Sequence, residues 1–205
     1  MKWTDSGGHD FEQPPVGAHV AICTKVIDIG TQEGEYQGKK NFKRQVIIGW
    51  ELPNELMTEG DYAGKPFTVS RFYTSSLSEK ATLRADLVSW RGREFTEAEL
   101  QGFESKNILG KPCMLSIVMN EKGRAKVKGV MALPKGSSVP PQVNPSVYFS
   151  LDEFDQKVFD SLTDGIKKFI MQSPEYIHLT RNSGMQGQTN AGGGAFADFA
   201  DDVGF

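Results

Sequence analysis

Five β-rich runs, with one helical stretch between the third and the fourth, are the feature that most constrains the fold of this chain. Valine, isoleucine, threonine and aromatic residues dominate each run, and glycine or proline marks most of the boundaries. The runs occupy residues 20–29, 42–50, 67–74, 114–119 and 124–131. The turn at 120–123 joins the last two runs as a hairpin, and three glycines predict a loop over 30–38.

The helical stretch lies at about 76–103. Capping-box patterns begin at Ser76 and at Thr96, where a hydroxyl and a carboxylate three residues apart can satisfy the first free N–H groups of a helix. Five strands with a helix between the third and the fourth is the order of the OB-fold. We therefore predict a mainly β, OB-fold-like five-stranded barrel over residues 16–135, with a helical insertion between strands 3 and 4. A sandwich with a helical excursion is the alternative.

The rest of the chain divides into four segments of different composition. A polar N-terminal arm (1–15), a Gly/Ser/Pro/Asn-rich linker (136–149), a C-terminal helical segment (150–180) and a Gly/Gln-rich tether with an acidic tip (181–205) are predicted. The helical segment starts with a third capping box at Ser150 and carries apolar residues at helical spacing until Ser173-Pro174, which predicts packing against the barrel. The tether has too few apolar residues to fold.

Charge is distributed unevenly along the chain, although the net charge is only −3. Residues 17–136 contain 18 Lys and Arg against 14 Asp and Glu, whereas residues 137–205 contain four against nine. A basic middle region can bind a polyanion, and acidic ends can compete for the same surface. The acidic total therefore does not exclude a nucleic-acid partner.

The sequence argues against several other classes of protein. It has no apolar run of the ~20 residues that a membrane-spanning helix needs, and its start lacks the order of a secretory signal, so we expect a cytoplasmic protein with no membrane partner. Cys23 and Cys113 lie in apolar runs and are expected to be buried reduced thiols. Two cysteines and three histidines do not make a tetrahedral zinc site by themselves.

Signals for catalysis are weak. The chain has no phosphate-binding Gly-Lys-Ser/Thr loop, no His-Glu-x-x-His motif and no nucleophile elbow. We therefore expect no catalytic residue, no metal and no cofactor. One alternative is a metal-dependent nuclease or another replication enzyme, with Glu51, Asp61 and Asp86 as the available carboxylates. A second alternative is a phage structural or assembly protein that binds no nucleic acid.

Cations and aromatic rings are concentrated on the predicted strands. Binding of single strands without sequence preference needs cations along a groove and rings on which bases stack. Arg124, Lys126 and Lys128 alternate and should project from one face of their strand. A core position is the commoner role for Trp50 and Trp90. The candidate nucleic-acid-binding residues are Lys39, Lys40, Phe42, Lys43, Arg44, Trp50, Arg71, Phe72, Tyr73, Trp90, Arg91, Arg93, Arg124, Lys126 and Lys128.

The C-terminal tip combines acidic residues, spaced phenylalanines and a terminal phenylalanine. An aromatic ring can fill an apolar pocket on a partner, and the carboxylates can meet basic residues around it, while the tether lets one peptide serve several partners. A solubilising tail is the alternative. The candidate partner-binding residues are Phe196, Asp198, Phe199, Asp201, Asp202 and Phe205.

Two parts of the chain resemble single-stranded DNA-binding proteins. The tip is similar to the acidic, Phe-terminated tips of the bacterial and phage proteins, although Gly204 stands where bacterial tips commonly carry proline. Most of residues 16–175 resembles a family of phage-encoded OB-fold single-stranded DNA-binding proteins. The matching stretches are 28–31, 48–52, 70–74, 83–93, 109–113 and 133–136.

This resemblance implies an OB core that coats single-stranded DNA during phage replication, recombination and repair, in the cytoplasm of the host. It also implies that the tip recruits replication or recombination proteins such as a polymerase, helicase, primase or nuclease, and that it competes with DNA for the basic groove. The sequence leaves the oligomeric state open, with a homo-oligomer as one option.

Overall fold

A computed structural model of the chain describes residues 12–36 and 38–182. In this part of the chain the strands are β1 Gly17–Tyr36, β2 Lys39–Leu56, β3 Pro66–Thr74, β4 Pro112–Met119, β5 Ala125–Met131 and β6 Val147–Phe149. The α-helices are α1 Thr82–Arg91, α2 Glu97–Gln101, α3 Gln156–Ser161, α4 Asp164–Gln172 and α5 Pro174–Asn182. Short 3-10 turns occupy Gly60–Tyr62 and Ser105–Ile108. The prediction of a mainly β fold with few helices is confirmed.

The six strands form one sheet. Its order is β3-β2-β1-β4-β5 with antiparallel neighbours, and β6 pairs in parallel with β1. Along the described chain no backbone pairing joins the two end strands, β3 and β5. They nevertheless lie side by side, because Arg71 Nη1 on β3 donates a hydrogen bond to the carbonyl oxygen of Lys128 on β5 at 3.0 Å. The sheet is strongly curved but is not closed into a barrel.

The concave side of the sheet holds the main hydrophobic core. Alternate residues of β2, among them Val46, Ile48 and Trp50, point into it, as the period of two along a strand requires. Helix α1 covers this core with Leu87 and Trp90, and the rings of Trp50 and Trp90 lie 6.1 Å apart. Each fully buried apolar side chain of this size stabilises the fold by roughly 1.5–3 kcal/mol.

A second core lies on the convex side of the sheet. Ile27 and Ile29 of β1 and Ile47 of β2 point away from the first core and contact the C-terminal helices. Helix α4 supplies Phe169 and Ile170 to this contact, and both side chains are buried. The C-terminal helices therefore fix the part of the sheet from which the longest hairpin extends.

That hairpin is the largest difference from the sequence-based expectation. The loop predicted over 30–38 is wrong, because β1 continues to Tyr36 and pairs with β2 from Lys39 onward. Gly30, at φ +72°, accommodates an irregularity in the pairing and does not end the strand. We call residues 31–36 and 38–45 the hairpin arm.

The structure confirms only some of the helix starts that the capping-box patterns predicted. The capping box at Thr96 is present, with Thr96 and Glu99 each bonded to the backbone N–H of the other. The box predicted at Ser76 is not, because α1 begins at Thr82 after an extended Ala81. Asp155 caps α3 in place of Ser150, since its carboxylate accepts the N–H groups at the start of that helix. Pro174 does not end the helical segment: it begins α5, a position that suits proline.

The two cysteines lie in the main core, as predicted. Cys23 and Cys113 are free and fully buried. Burial raises the pKa of the Cys23 thiol to about 12 and also raises that of Cys113. Both thiols therefore stay protonated and act as small apolar side chains.

Candidate nucleic-acid interface

The hairpin arm displays the most accessible group of predicted residues. Lys39, Lys40, Phe42 and Lys43 are all exposed on β2, and Phe42 exposes 65% of its surface. Phe42 lies on the same face of β2 as the core residues Val46, Ile48 and Trp50, but it is beyond the reach of the core. The arm thus extends the apolar face of the strand into solvent and ends it with an open aromatic ring.

The lysines of the arm differ in their partners. Lys40 Nζ lies 2.5 Å from Glu33 Oε1 on the paired strand, and this hydrogen bond raises the pKa of Lys40. Within the described residues, Lys39 and Lys43 form no ion pair. Their ammonium groups are available to an anion without loss of an existing contact.

Arg44, at the base of the arm, is held by two carboxylates. Its Nε and Nη2 donate to Asp28 at 3.1 and 2.5 Å, and Nη2 also lies 2.9 Å from Asp152. The hydrogen bond with Asp28 is the main cause that raises the pKa of Arg44. The structure therefore places this candidate nucleic-acid-binding residue inside a charge cluster whose net charge is negative.

Arg71 is also neutralised. Asp86 of α1 accepts hydrogen bonds from Arg71 Nη1 at 2.8 Å and from the hydroxyl of Tyr73 at 2.7 Å, and the guanidinium lies 5.1 Å from the centre of the Tyr73 ring. Burial, followed by the charge of Asp86, raises the pKa of Tyr73. Arg71 and Tyr73 share a face of β3, as predicted, but their contacts join β3, α1 and β5 to each other.

Arg91 and Arg93 share one carboxylate, that of Glu99 at the start of α2. The hydrogen bond from Arg93, together with the Thr96 backbone and the charge of Arg91, lowers the pKa of Glu99 to about 2. The guanidinium of Arg91 also lies 4.3 Å from the centre of the Phe95 ring. Both arginines thus hold α2 against the end of α1.

Four predicted rings are covered by other parts of the protein. Trp50, Tyr73 and Trp90 belong to the main core, and Trp90 Nε1 donates to the Pro112 carbonyl at 2.8 Å. Phe72 faces the other side of β3 and packs edge-on against Phe169. A base needs an open ring face on which to stack. In this conformation these rings are not part of an accessible interface.

The three cations predicted to share a face of β5 are divided. Lys126 and Lys128 are exposed on either side of the buried Val127. Within the described residues neither lysine forms an ion pair. Arg124 precedes the strand and is half-buried in the turn, where its backbone N–H donates to Asn120 Oδ1. This pair of lysines lies toward the end of the sheet that is opposite the arm, because β5 begins beside the end of β4 and the start of β1.

A ring that the sequence reasoning overlooked lies in the connection between β2 and β3. Tyr62 is 55% exposed, and Lys65 Nζ lies 5.3 Å from the centre of its ring. Glu12 accepts hydrogen bonds from Thr58 in the same connection, and the next residue, Gln13, accepts one from Ala125 at the start of β5. Tyr62 is therefore near the Lys126 end of the sheet. A tyrosine in a short polar segment between glycines was the available signal.

Other predicted features are placed as follows. The tip residues Phe196, Asp198, Phe199, Asp201, Asp202 and Phe205 lie outside the described residues. Residues 12–36 and 38–182 contain no cluster of three or more His, Cys, Asp or Glu that could hold a metal ion, and no helix long and apolar enough to cross a membrane. Of the three carboxylates considered for a nuclease, Glu51 and Asp86 already accept hydrogen bonds within the fold.

A scan against protein-family models and a search of curated proteins find no match to this chain. The resemblance to phage single-stranded DNA-binding proteins therefore depends on the sequence stretches named above.

Proposed function

We propose that this chain binds single-stranded DNA without sequence preference and coats it during phage replication, recombination and repair, in the cytoplasm of the host. The observation that carries the proposal is Phe42, an open ring between lysines on a hairpin that extends from the body of the protein. An exposed ring costs free energy in water, and a base stacked on it recovers roughly 1–3 kcal/mol.

The charges of the arm supply the second half of the binding mode. Lys39 and Lys43 can each neutralise a phosphate, and the released counterions make the affinity depend on salt. Lys126 and Lys128 offer a second set of contacts toward the other end of the sheet, the end at which the connection that carries Tyr62 also lies.

An OB-like barrel remains the fold that we propose for residues 16–135. The OB-fold is itself a partly open five-stranded barrel. The strand order, the position of α1 between β3 and β4, and the contact between Arg71 and the Lys128 carbonyl favour it. The acidic tip is proposed to recruit replication or recombination proteins, because its rings and carboxylates suit a basic apolar pocket.

The test is an anisotropy titration of labelled oligo-dT and of the matching duplex over a range of salt. We expect tighter binding to the single strand and a logarithmic salt slope that becomes shallower by roughly 0.7 for each lysine removed in Lys39→Ala and Lys43→Ala. Lys157→Ala is the control, since this exposed lysine of α3 also forms no ion pair within the described residues. Equal affinity for both DNA forms would contradict the proposal.

The same labelled oligo-dT also tests the alternative that the protein is a nuclease. Labelled oligo-dT incubated with the protein and Mg²⁺ should remain intact. Progressive shortening of the strand would indicate a nuclease, and absence of any shift with either DNA would favour a protein that binds only other proteins.

A further inference from the structure

A cleft of about 400 Å³ opens at the base of the hairpin arm, on the concave side of the sheet. Its floor is apolar and consists of strand residues such as Val46 and Ile48 together with Leu83 and Leu87 of α1. Its volume falls in the range of small-molecule sites, which are mostly apolar with a few polar groups that fix orientation. The cleft is distinct from the exposed residues of the arm, although the arm leads into it.

The rim of the cleft is rich in hydroxyl groups. Those that line it belong to Ser75, Ser76, Ser105, Tyr148 and Ser150. Some already have a partner, such as Ser105 Oγ and Tyr148 Oη, which lie 3.3 Å apart. A hydroxyl can donate one hydrogen bond and accept two, so these groups retain capacity for a ligand. The cleft therefore suits a ligand with an apolar body and hydrogen-bonding edges.

The charge at the rim selects against an anion. The ionised side chains that line the cleft are Arg44, Asp28 and Asp152, which together carry one positive and two negative charges. A phosphate that entered would meet a carboxylate excess. The part of a ligand that enters the cleft is consequently not an anion, and any phosphate attached to it stays outside.

The cleft lies directly beyond Phe42 and Arg44 along β2. Phe42, Arg44 and Val46 are successive same-face residues of β2, so the open ring, the guanidinium and the cleft floor follow one another at intervals of about 6.6 Å. A base stacked on Phe42 brings the next nucleotide to the planar guanidinium of Arg44, which can stack on a base. The backbone N–H of Ser75 donates to the Arg44 carbonyl at 2.8 Å and keeps the two sides of the rim together.

We propose that this cleft takes up one unpaired nucleobase of the bound strand, which rests on the proposed function. The base lies against the apolar floor, its polar edges face the hydroxyls of the rim, and its phosphates remain outside the cleft. A duplex does not offer such a base without being opened, so the cleft also accounts for a preference for single strands.

The experiment compares oligo-dT with an oligomer of the same length made of abasic sugar phosphates. Ser75→Trp places a large side chain at the rim of the cleft, and Thr74→Trp is the matched control, because Thr74 is the exposed neighbour that does not line it. We expect Ser75→Trp to weaken oligo-dT binding about tenfold, to leave the affinity for the abasic oligomer unchanged, and to differ from Thr74→Trp in this respect.

The outcomes are distinct. If the Ser75→Trp variant binds oligo-dT as tightly as the Thr74→Trp variant, or loses affinity for both oligomers equally, the base-binding cleft is refuted while the proposed function stands. If the unaltered protein binds neither oligomer, both the base-binding cleft and the proposed function are refuted. Should Ser75→Trp fail to fold, a titration of the ¹⁵N-labelled unaltered protein with thymidine decides. Amide shifts at Leu77, Tyr148 and Ser150 support the cleft, and no shift up to the solubility limit overturns it.

Discussion

The carboxylate of Glu175 accepts two hydrogen bonds from Thr31, one from the backbone N–H at 2.9 Å and one from the hydroxyl at 2.6 Å. Thr31 is the first residue of the hairpin arm, and Glu175 lies in the first turn of α5, where a negative charge is favoured by the helix dipole. The neighbouring Gln32 donates to the Phe169 carbonyl of α4 at 2.9 Å. The C-terminal helices therefore hold the base of the arm.

Replacing this carboxylate should destabilise the protein in a pH-dependent way. Burial raises the pKa of Glu175, but the hydrogen bonds from Thr31 outweigh it, and the folded pKa lies below the usual value of 4.5. A depressed pKa gives stability that is present at neutral pH and is lost as the pH falls through the acid range below 4.5. We expect Glu175→Gln to lower the free energy of unfolding by about 1 kcal/mol at neutral pH.

Urea unfolding at pH 7 and at roughly pH 3 tests this, because the difference between the two proteins should shrink at the lower pH. Glu79→Gln is the control, since this exposed carboxylate forms no hydrogen bond within the described residues. An equal loss of stability at both pH values would contradict the assignment.

Gly30 should not tolerate any side chain. Its φ of +72° disfavours other residues, and an added Cβ would lie 2.5 Å from Ser173 Cβ and 2.9 Å from Glu175 Oε2. Gly60 has nearly the same φ, +73°, with no atom within 4 Å of such a Cβ. We expect Gly60→Ala to cost about 1 kcal/mol and Gly30→Ala roughly 2–4 kcal/mol. Thermal unfolding of both variants measures the difference, and equal costs would show that no close approach exists.

Glu51 should hold the segment between β5 and β6 against the sheet. Its buried carboxylate accepts the backbone N–H groups of Val143 and Asn144, each at 2.7 Å, and the Asn144 side-chain amide at 2.8 Å. Glu51→Gln puts a donor where an acceptor is needed and should cost about 2 kcal/mol. We expect faster tryptic cleavage after Lys135, which is exposed in this segment, whereas Glu59→Gln should leave the rate unchanged. Equal rates in both variants would disprove the role of Glu51.

Deletion of residues 196–205 should tighten binding to oligo-dT. The acidic tip follows α5, which packs at the base of the arm, and we propose that it competes with DNA for the arm lysines. The gain should be largest at low salt and should fade as the screening length shortens. Replacing Asp198, Asp201 and Asp202 by Asn in the full chain should reproduce the effect. Unchanged affinity at low salt in both variants would rule out the competition.

Local patterns predicted five of the six strands of the described residues and which side chains share a face, whereas β6 lies in the segment 136–149 that was predicted to be a linker. The opposite faces of Phe72 and Tyr73 and the inward face of β2 follow from the period of two. The hairpin arm was missed because glycines at 30, 34 and 38 indicate a loop, and only the pairing register shows that the strands continue. Register depends on partners distant in sequence, which a local pattern does not contain.

The arginines of the candidate site also have partners that are distant in sequence and that a local pattern does not contain. Arg44, Arg71 and Arg91 were candidate nucleic-acid-binding residues, but each is bonded to a carboxylate that the fold brings beside it. The lysines of the arm, Lys39, Lys40 and Lys43, are exposed, and their role in binding DNA stays a prediction. Pairing of charges is a tertiary property, and a count of cations along the sequence overestimates the free ones.

The central claim is that the open ring of Phe42 stacks a base of single-stranded DNA, and the affinity of Phe42→Leu and Phe42→Tyr for oligo-dT tests it most directly. Leucine keeps an apolar side chain without an aromatic face, and tyrosine keeps the ring. We predict that Phe42→Leu binds about tenfold more weakly than the unaltered protein and that Phe42→Tyr binds as tightly. Equal affinities of all three proteins would contradict the claim.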